Sequence, residues 1–170
     1  MSAVAPPVRD PAWQVSRNAI GLWTAEGAIG VLVLAVGTAA FFLLVPASTG
    51  GPVPFLRWAL PVAVAVDAVV AIGIRPRLRY RVHRWEVTGE AVYTLTGWLS
   101  RTWTLVPISR IQTVDVTRGV LQQLFGLASV AVLTASSEGT VRVPHLEADV
   151  AQRVADDLAR RAAQVPDQAT

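Results

Sequence analysis

Directly after its second apolar stretch, this chain carries an arginine at every other position. The run consists of Arg75, Arg77, Arg79 and Arg81, with Arg84 closing it. Seventeen residues from Trp58 to Ile74 contain one charge, whereas the next ten contain five arginines. Such a change indicates a membrane span that ends on a basic collar, and basic collars are retained in the cytoplasm. Because a repeat of two is typical of an extended strand, we predict a strand from about Arg79 to Val87.

A first apolar stretch precedes this one. Gly27 to Val45 is nineteen residues without a charge, about 28 Å as a helix, which matches the hydrocarbon thickness of a bilayer. The uncharged connection 46–54 is short, so the second stretch must return antiparallel to the first. We therefore predict a transmembrane hairpin over 20–75, with helices at about 20–45 and 55–74. Both termini are then expected on the cytoplasmic side of a bacterial inner membrane.

The rest of the chain divides around this hairpin. Residues 1–19 are predicted to be a cytoplasmic arm, disordered up to about Asp10 because of its prolines and scattered polar residues. Residues 76–164 have short alternating runs that predict a mainly β domain of antiparallel sheets, packed as a partly open barrel or sandwich. An amphipathic helix from about Leu146 to Gln164 is expected to cap these sheets. Residues 165–170 are predicted to be a frayed tail.

Individual turns and strands can be placed within the β domain. Glycines end several runs: Gly89 and Gly97 mark hairpins, and Gly126 stops one helical turn around Leu121 to Phe125. The segments 101–106 and 111–117 alternate as strands, with Ile111 and Val114 or Val116 facing inward. A nearly continuous apolar run, 127–135, predicts a strand that is buried on both faces, and Glu138 with Gly139 is expected to turn it into a strand from Thr140.

Composition limits the functional classes. All fifteen basic residues are arginine and cysteine is absent, which excludes disulfides, thiolate metal sites and a cysteine nucleophile. The formal net charge of +3 in a membrane protein suits an anionic leaflet better than nucleic acid. No serine has a nucleophile-elbow setting, and His83 and His145 are the only histidines. We therefore predict no catalysis, no metal and no cofactor, with a solvated or lipid-facing His83 and a His145 that helps to start the closing helix.

A transmembrane hairpin followed by a strand meander, a helical turn, a further hairpin and a closing helix resembles the bacterial pleckstrin-homology-like (PH-like) family of YdbS-like membrane proteins. The matching segments are residues 84–88, Gly97, residues 106–116 and residues 124–128. The Arg110-Ile111-Gln112 core and the Phe125-Gly126-Leu127 turn are the distinctive parts. With the two spans, the resemblance covers about residues 15–163, although Gln123 stands where members of this family often have an arginine.

The resemblance implies an interaction or assembly module rather than an enzyme. It also implies a partner in the same membrane, because such proteins commonly occur beside a larger membrane protein with related domains. The alternative is non-specific sensing of anionic lipid or membrane stress by the basic run. Specific recognition of an inositol phosphate is disfavoured, because the first hairpin loop, residues 88–90, is short and contains an acid rather than several basic residues.

Two interpretations are open for the segment that begins at Arg110. Arg110 and Asp115 flank an apolar pair of positions and could form an ion pair that fixes the corner of the strand. Alternatively, Arg110, Gln112 and Arg118 form an exposed edge that binds a partner, since strand addition takes affinity from the backbone and specificity from alternate side chains.

Two acids lie inside the predicted hairpin. Glu26 and Asp67 are six and seven residues from the ends of the spans at Ile20 and Ile74, roughly 9 and 10 Å at the helical rise. An acid in hydrocarbon costs a few kcal/mol unless it is paired, protonated or hydrated, and it is a functional candidate. We expect a polar contact within the hairpin or toward a partner helix. Alternatively, Glu26 only reaches the interface near Arg17.

Overall fold

The computed structural model describes residues 9–134 and 139–164 of the chain. These residues form two compact units. The helical unit is Ile20–Leu78, and the β unit contains residues 9–19 together with those after Leu78. The expected tail, most of the disordered arm and the turn at Glu138 lie outside the described residues.

The helical unit consists of two long apolar helices. Helix α1 is Asn18–Leu44, and the second helix runs without a break through α2 (Val53–Ala68), a π-helical segment (Val69–Ile74) and α3 (Arg75–Val82). Both are long and apolar enough to cross a membrane. The second reaches eight residues beyond the expected end at Ile74, because the helix continues through the basic run.

The π-helical segment allows the second helix to continue past a proline. Pro76 has no backbone N–H, and its ring would clash with the carbonyl one turn earlier in a regular helix. Directly before it, the N–H of Arg75 bonds the carbonyl of Val70, five residues back. This wider turn changes the carbonyl positions that meet the proline ring. At the other end of the hairpin, Arg57 donates to the carbonyl of Val45 over 3.1 Å, which satisfies an orphan acceptor after α1.

The two helices approach closely at a glycine. A Cβ on Gly27 would lie 2.5 Å from the carbonyl oxygen of Ala71, so only glycine permits this separation. Small residues at such crossings allow the dispersion contacts that hold transmembrane helices together.

The β unit contains two antiparallel sheets. The first has the order β1-β2-β3-β4 and the second the order β5-β6-β7. The first sheet consists of β1 (Trp13–Gln14), β2 (Arg84–Val87), β3 (Ala91–Gly97) and β4 (Arg101–Pro107). The second consists of β5 (Ile111–Thr117), β6 (Leu127–Thr134) and β7 (Thr140–Glu147). A 3-10 turn, Ile108–Arg110, joins the sheets, α4 (Val120–Leu124) precedes β6, and α5 (Ala148–Gln164) follows β7.

One apolar core holds both sheets and α5 together. It includes Val92 and Val106 from the first sheet, Val130 and Val143 from the second, and Leu158 from α5. Each is almost completely buried, which contributes about 1.5–3 kcal/mol for a side chain of this size. Ile111, Val114 and Val116 pack against this core from β5. The sequence predicted Ile111 with either Val114 or Val116, and the register shift between Ile111 and Thr113 brings all three to the core. The predicted fold class, a helical hairpin joined to packed antiparallel sheets with one closing helix, is confirmed.

Two local predictions are wrong. The strand expected from Arg79 begins only at Arg84, because a helix already formed through the span extends at less cost than a new element starts. His145 does not start α5; it lies in β7 with a φ of 55°.

Candidate functional site

Helix α3 separates the alternating arginines into two faces. Residues two apart on a helix point in nearly opposite directions, whereas residues four apart share a face. Arg77 and Arg81 are accordingly exposed, whereas Arg75 and Arg79 are half-buried. The guanidinium of Arg77 also donates to the carbonyl of Gly73, one turn back. A period of two in the sequence thus becomes one solvent-facing pair and one inward-facing pair.

Arg84 lies apart from these four. It is half-buried in β2, where it is opposite Gln14 of β1 and Leu95 of β3. The structure therefore distributes the five predicted lipid-facing arginines over a helix and a strand, with Arg77 and Arg81 the two exposed members.

Strand β5 is the site of the predicted partner surface. It pairs only with β6, so its other edge is free of strand pairing within the described part of the chain. Ile111 is opposite Thr134 and Thr113 is opposite Leu133, which leaves Gln112 as the extra residue of a β-bulge. Bulges redirect a side chain at a sheet edge. Gln112 is exposed there, and exposed Arg110 and Arg118 lie at either end of the strand.

The alternative interpretation of Arg110 is not supported. Among the described residues, Arg110 and Asp115 form no ion pair with each other or with any other residue, and both are exposed. The corner is held instead by the buried side chain of Ile108 and by its N–H, which donates to the carbonyl of Glu90 over 2.8 Å.

The intramembrane acids lie near the close approach of the helices. Glu26, beside Gly27, is exposed on α1, and Asp67, one turn before Ala71, is half-buried on α2. Asp67 therefore lies about one turn, roughly 5 Å, farther from the basic end than Ala71. Neither carboxylate accepts a hydrogen bond from another described residue of the hairpin. A contact toward a partner helix remains the prediction for both.

A partly buried polar network joins α4 to β6 and β7. The Gln122 side chain accepts from the N–H of Gly119 at 3.0 Å through Oε1, so its amide nitrogen is the donor on the other side. That nitrogen lies 2.8 Å from the hydroxyl of Ser129 and 3.1 Å from Nδ1 of His145. The N–H of His145 also lies 3.3 Å from the Ser129 hydroxyl. The network fixes the α4 turn on the bulge where β6 and β7 change register.

The histidine in this network is held in its neutral form. Burial lowers the pKa of His145 to about 4, and repulsion from His83 and Arg79 adds to the shift. A proton on Nδ1 would also face the amide N–H of Gln122, which is itself a donor. His83, predicted to be solvated or lipid-facing, is instead buried, and burial lowers its pKa as well, against a raising effect of its bond to the Arg79 carbonyl.

The arm before the first helix is part of the β unit. Trp13 and Gln14 pair with Trp85 and Arg84, and the indole N–H of Trp85 donates to the Gln14 carbonyl over 3.2 Å. Glu86 accepts from Arg9 at 2.6 Å and from the N–H of Ala12 at 3.0 Å. Trp13 and Gln14 are both exposed, and Val15 directly after the strand is buried.

The first hairpin loop has no cluster of basic residues. The Thr88 hydroxyl bonds within the turn, and Arg161 of α5 donates to the Thr88 carbonyl over 3.2 Å. Arg161 also forms an ion pair with Asp157 at 2.8 Å, so the charge of this arginine is already neutralised by a carboxylate. An open depression lies here, lined by Gly89, Glu90, Ile108, Ser109, Arg161 and Gln164. No group of three metal-ligating side chains occurs among the described residues.

Two apolar helices attached to a two-sheet unit with a closing helix define a membrane-anchored protein with a PH-like domain. The family model for the bacterial PH domain matches residues 28–162, and the chain belongs to this family. It is also similar to the UPF0699 transmembrane protein YdbS of Bacillus subtilis (strain 168), at 27% identity over 157 residues, which is 89% of this chain and 93% of the relative. No solved structure matches the chain. The predicted family is confirmed, and the protein is a bacterial integral membrane protein with two spans.

Proposed function

We propose that this protein is an interaction or assembly module that binds another membrane protein, one with related domains, at the cytoplasmic face of the inner membrane. The observation that carries the proposal is the edge of β5, which has a bulged, exposed Gln112 between the exposed Arg110 and Arg118. The membrane anchor keeps this edge close to any partner in the same bilayer. A binding role rather than a catalytic one agrees with the PH-like family of the chain.

The chemistry of the β5 edge supports strand addition. An unpaired edge presents N–H and C=O groups that can bond an incoming strand, and proteins usually block such edges with charge, proline or a bulge. Here the bulge interrupts only the start of the strand, and residues 113–117 keep a regular register with β6. Arginine forms paired hydrogen bonds to carboxylates and is favoured at interfaces. An extended partner segment with acidic residues at its ends would therefore fit this edge.

The distribution of charge supports an orientation of the domain toward the cytoplasm. Arginines flank the hairpin on the side of the β unit, at Arg9 and Arg17 before α1 and in the run after Ile74. Positive residues next to short connections stay in the cytoplasm during insertion. The pairing of β1 with β2 supports a common side for both flanks of the hairpin.

Site-specific crosslinking in native membranes tests the partner. A photoreactive residue at Gln112 should form an adduct with one membrane protein, whereas the same residue at Gln152, exposed on α5, should not. The protein captured at Gln112 should also co-purify with the wild-type chain, and R110E/R118E should reduce its recovery severalfold. An adduct made only of two copies of this chain, or equal capture at both positions, would contradict the proposal.

A second candidate function rests on Arg77 and Arg81. These two exposed guanidinium groups share one face of α3, directly after the apolar span. Basic residues next to a span gain about 1 kcal/mol each from an anionic leaflet. This face could bind anionic headgroups without a specific pocket, and so respond to the charge of the membrane.

Anionic lipid retained by the purified full chain tests this function. R77Q/R81Q should retain less anionic lipid than wild type, in a salt-sensitive way. R153Q/R160Q, which removes two exposed arginines from α5, is the matched control and should retain as much as wild type. Equal losses in the two variants would indicate a general effect of net charge and would exclude a role specific to α3.

A further inference from the structure

The α4 turn exposes apolar side chains that the core does not use. Val120 and Leu124 are one helical turn apart and 79% and 76% exposed. On the opposite side, Gln122 bonds inward to Ser129 and His145. The turn therefore has a polar face that is fixed to the sheet and an apolar face that is covered by no described residue. The two exposed aliphatic groups form a small apolar surface on this turn.

The position of α4 relative to the bilayer follows from α1. The 27 residues of α1 extend about 40 Å, which is the bilayer thickness with its headgroups included. Asn18, the first residue of α1, therefore lies at headgroup level. Its side-chain amide donates to the carbonyl of Phe125 over 3.2 Å, so the end of the α4 turn lies in direct contact with this point.

His83, which follows the second span, also lies within electrostatic range of this turn. His83 directly follows α3, and it lies close enough to His145 to lower the pKa of that side chain. His145 in turn contacts Gln122 of α4. The direct contact between the α4 turn and the start of α1 is that of Asn18.

The charge and the backbone of the turn suit an interfacial position. Arg118 and Arg17 are exposed, and no acid occurs between Asp115 and Glu138 in the sequence. The N–H groups of Gln123, Phe125 and Gly126 all bond carbonyls of the same turn, so the backbone carries a smaller desolvation penalty at the membrane surface. Apolar residues flanked by arginine are characteristic of segments that lie at the boundary of headgroups and acyl chains.

We propose that Val120 and Leu124 insert into the headgroup region of the leaflet that α1 enters, so that the α4 turn is a third point of membrane contact beside the two spans. The occupant of this apolar face is lipid. Insertion would fix the orientation of the β unit on the membrane, independently of any partner that binds at β5.

Environment-sensitive labelling tests the insertion, because the chain contains no cysteine and each position can be labelled singly. V120C and L124C, each with a fluorophore, should have blue-shifted emission in full-length protein reconstituted in lipid nanodiscs. Spin-labelled lipids with a shallow quencher should quench them several times more strongly than L99C. Leu99 is the matched control, because it is also an apolar residue that is 82% exposed in the β unit.

Nanodiscs that hold a single copy of the chain separate lipid from protein as the occupant. Quenching of both labels that persists in these discs supports the proposal. Emission and quenching equal to those of L99C would overturn the proposal. A blue shift of the emission that appears only when two copies share a disc would also overturn it. Thermal unfolding of the labelled proteins shows whether a label has disturbed the fold, and a result from either position alone decides the question if the other does not fold.

Discussion

At the scale of single residues, Gln122 and His145 determine the corner at which α4 meets the second sheet. A neutral His145 accepts a hydrogen bond from Gln122, and its backbone carbonyl accepts another from the N–H of Ser16 over 3.0 Å. One side chain and its backbone thus connect α4, β7 and the arm before the first helix. The positive φ at this position is a conformation in which histidine is found more often than most residues.

The buried His83 and the half-buried His145 predict a loss of stability in acid. The folded state holds the pKa of His145 at about 4, below the unfolded value of about 6.5, so the unfolded chain binds more protons between these pH values. Stability should therefore be full above about pH 6.5 and fall as the pH decreases toward 4. Thermal unfolding of the full chain in detergent at a series of pH values measures this slope.

The variant H145N removes this titration, and asparagine also tolerates a positive φ. The slope of its unfolding free energy against pH should be smaller than that of wild type by up to one proton. The slope that remains should come from His83. An unchanged slope in H145N would show that other groups cause the acid sensitivity.

Gly97 is the residue whose replacement by alanine should cost most in the hairpins of the first sheet. It has a φ of +125°, and a Cβ there would lie 1.8 Å from the carbonyl oxygen of Ser100. We expect G97A to lower the free energy of unfolding by about 2–4 kcal/mol, as measured by thermal or chemical unfolding.

G89A is the matched control for this substitution. A Cβ on Gly89 would have no neighbour within 4 Å, so this variant should change stability by less than about 0.5 kcal/mol. Similar losses in the two variants would contradict the steric explanation.

At the scale of elements, the strands of the β unit were predictable from alternation and the extent of α3 was not. Residues 113–117 alternate between exposed and half-buried side chains, and the sequence contains the same signal. The arginine run has the same period but is helical. A helix accommodates this period because every second arginine, four residues from the next, lies on the same face. Sequence periodicity alone cannot separate these patterns when a preceding helix supplies the first hydrogen bonds.

The crossing of α1 with the second helix depends on Gly27. In G27V the new side chain would meet the carbonyl of Ala71, whose oxygen lies 2.5 Å from the Cβ position. The helices would have to separate, at a cost of about 1–3 kcal/mol for overpacking. Thermal unfolding of the full chain in detergent measures this loss.

G37V tests whether the effect is one of position. Gly37 lies in the same helix and has no atom within 4 Å of its Cβ position, so this variant should unfold at the wild-type temperature. If G37V were as unstable as G27V, helix propensity rather than the crossing would explain both results.

At the scale of the whole molecule, the pairing of β1 with β2 was not predicted. Strand β1 has two residues, which is too few for a periodic signal. Its partner β2 follows both transmembrane helices in the sequence. The fold class was predictable because hydropathy, turn glycines and strand spacing all agree, and the family was predicted from the resemblance of residues 106–116 and 124–128 to YdbS-like proteins. The exposure of Arg110 was one of two alternatives, since it depends on packing that a sequence does not specify, and the partner surface that includes it stays a prediction.

A topological prediction follows from that pairing. Single cysteines that replace Arg9 and Arg160 should react with a membrane-impermeant maleimide from the same side, which we expect to be the cytoplasmic side. A cysteine that replaces Ser48, in the short connection between the helices, should react only from the other side. Labelling of intact cells and of inverted vesicles compares the two. Opposite reactivity of the positions at 9 and 160 would be incompatible with the β1–β2 pairing.

The first sheet also determines an order of events during synthesis. Gln14 and Trp85 are 71 residues apart in the chain, and both transmembrane helices lie between them. The ribosome therefore releases β1 long before its partner strand exists, and the sheet is completed only after the second helix has been made. Contacts of such high sequence separation form late in folding. A completed first sheet therefore requires that the chain segments before the first helix and after the second helix lie on the same side of the bilayer.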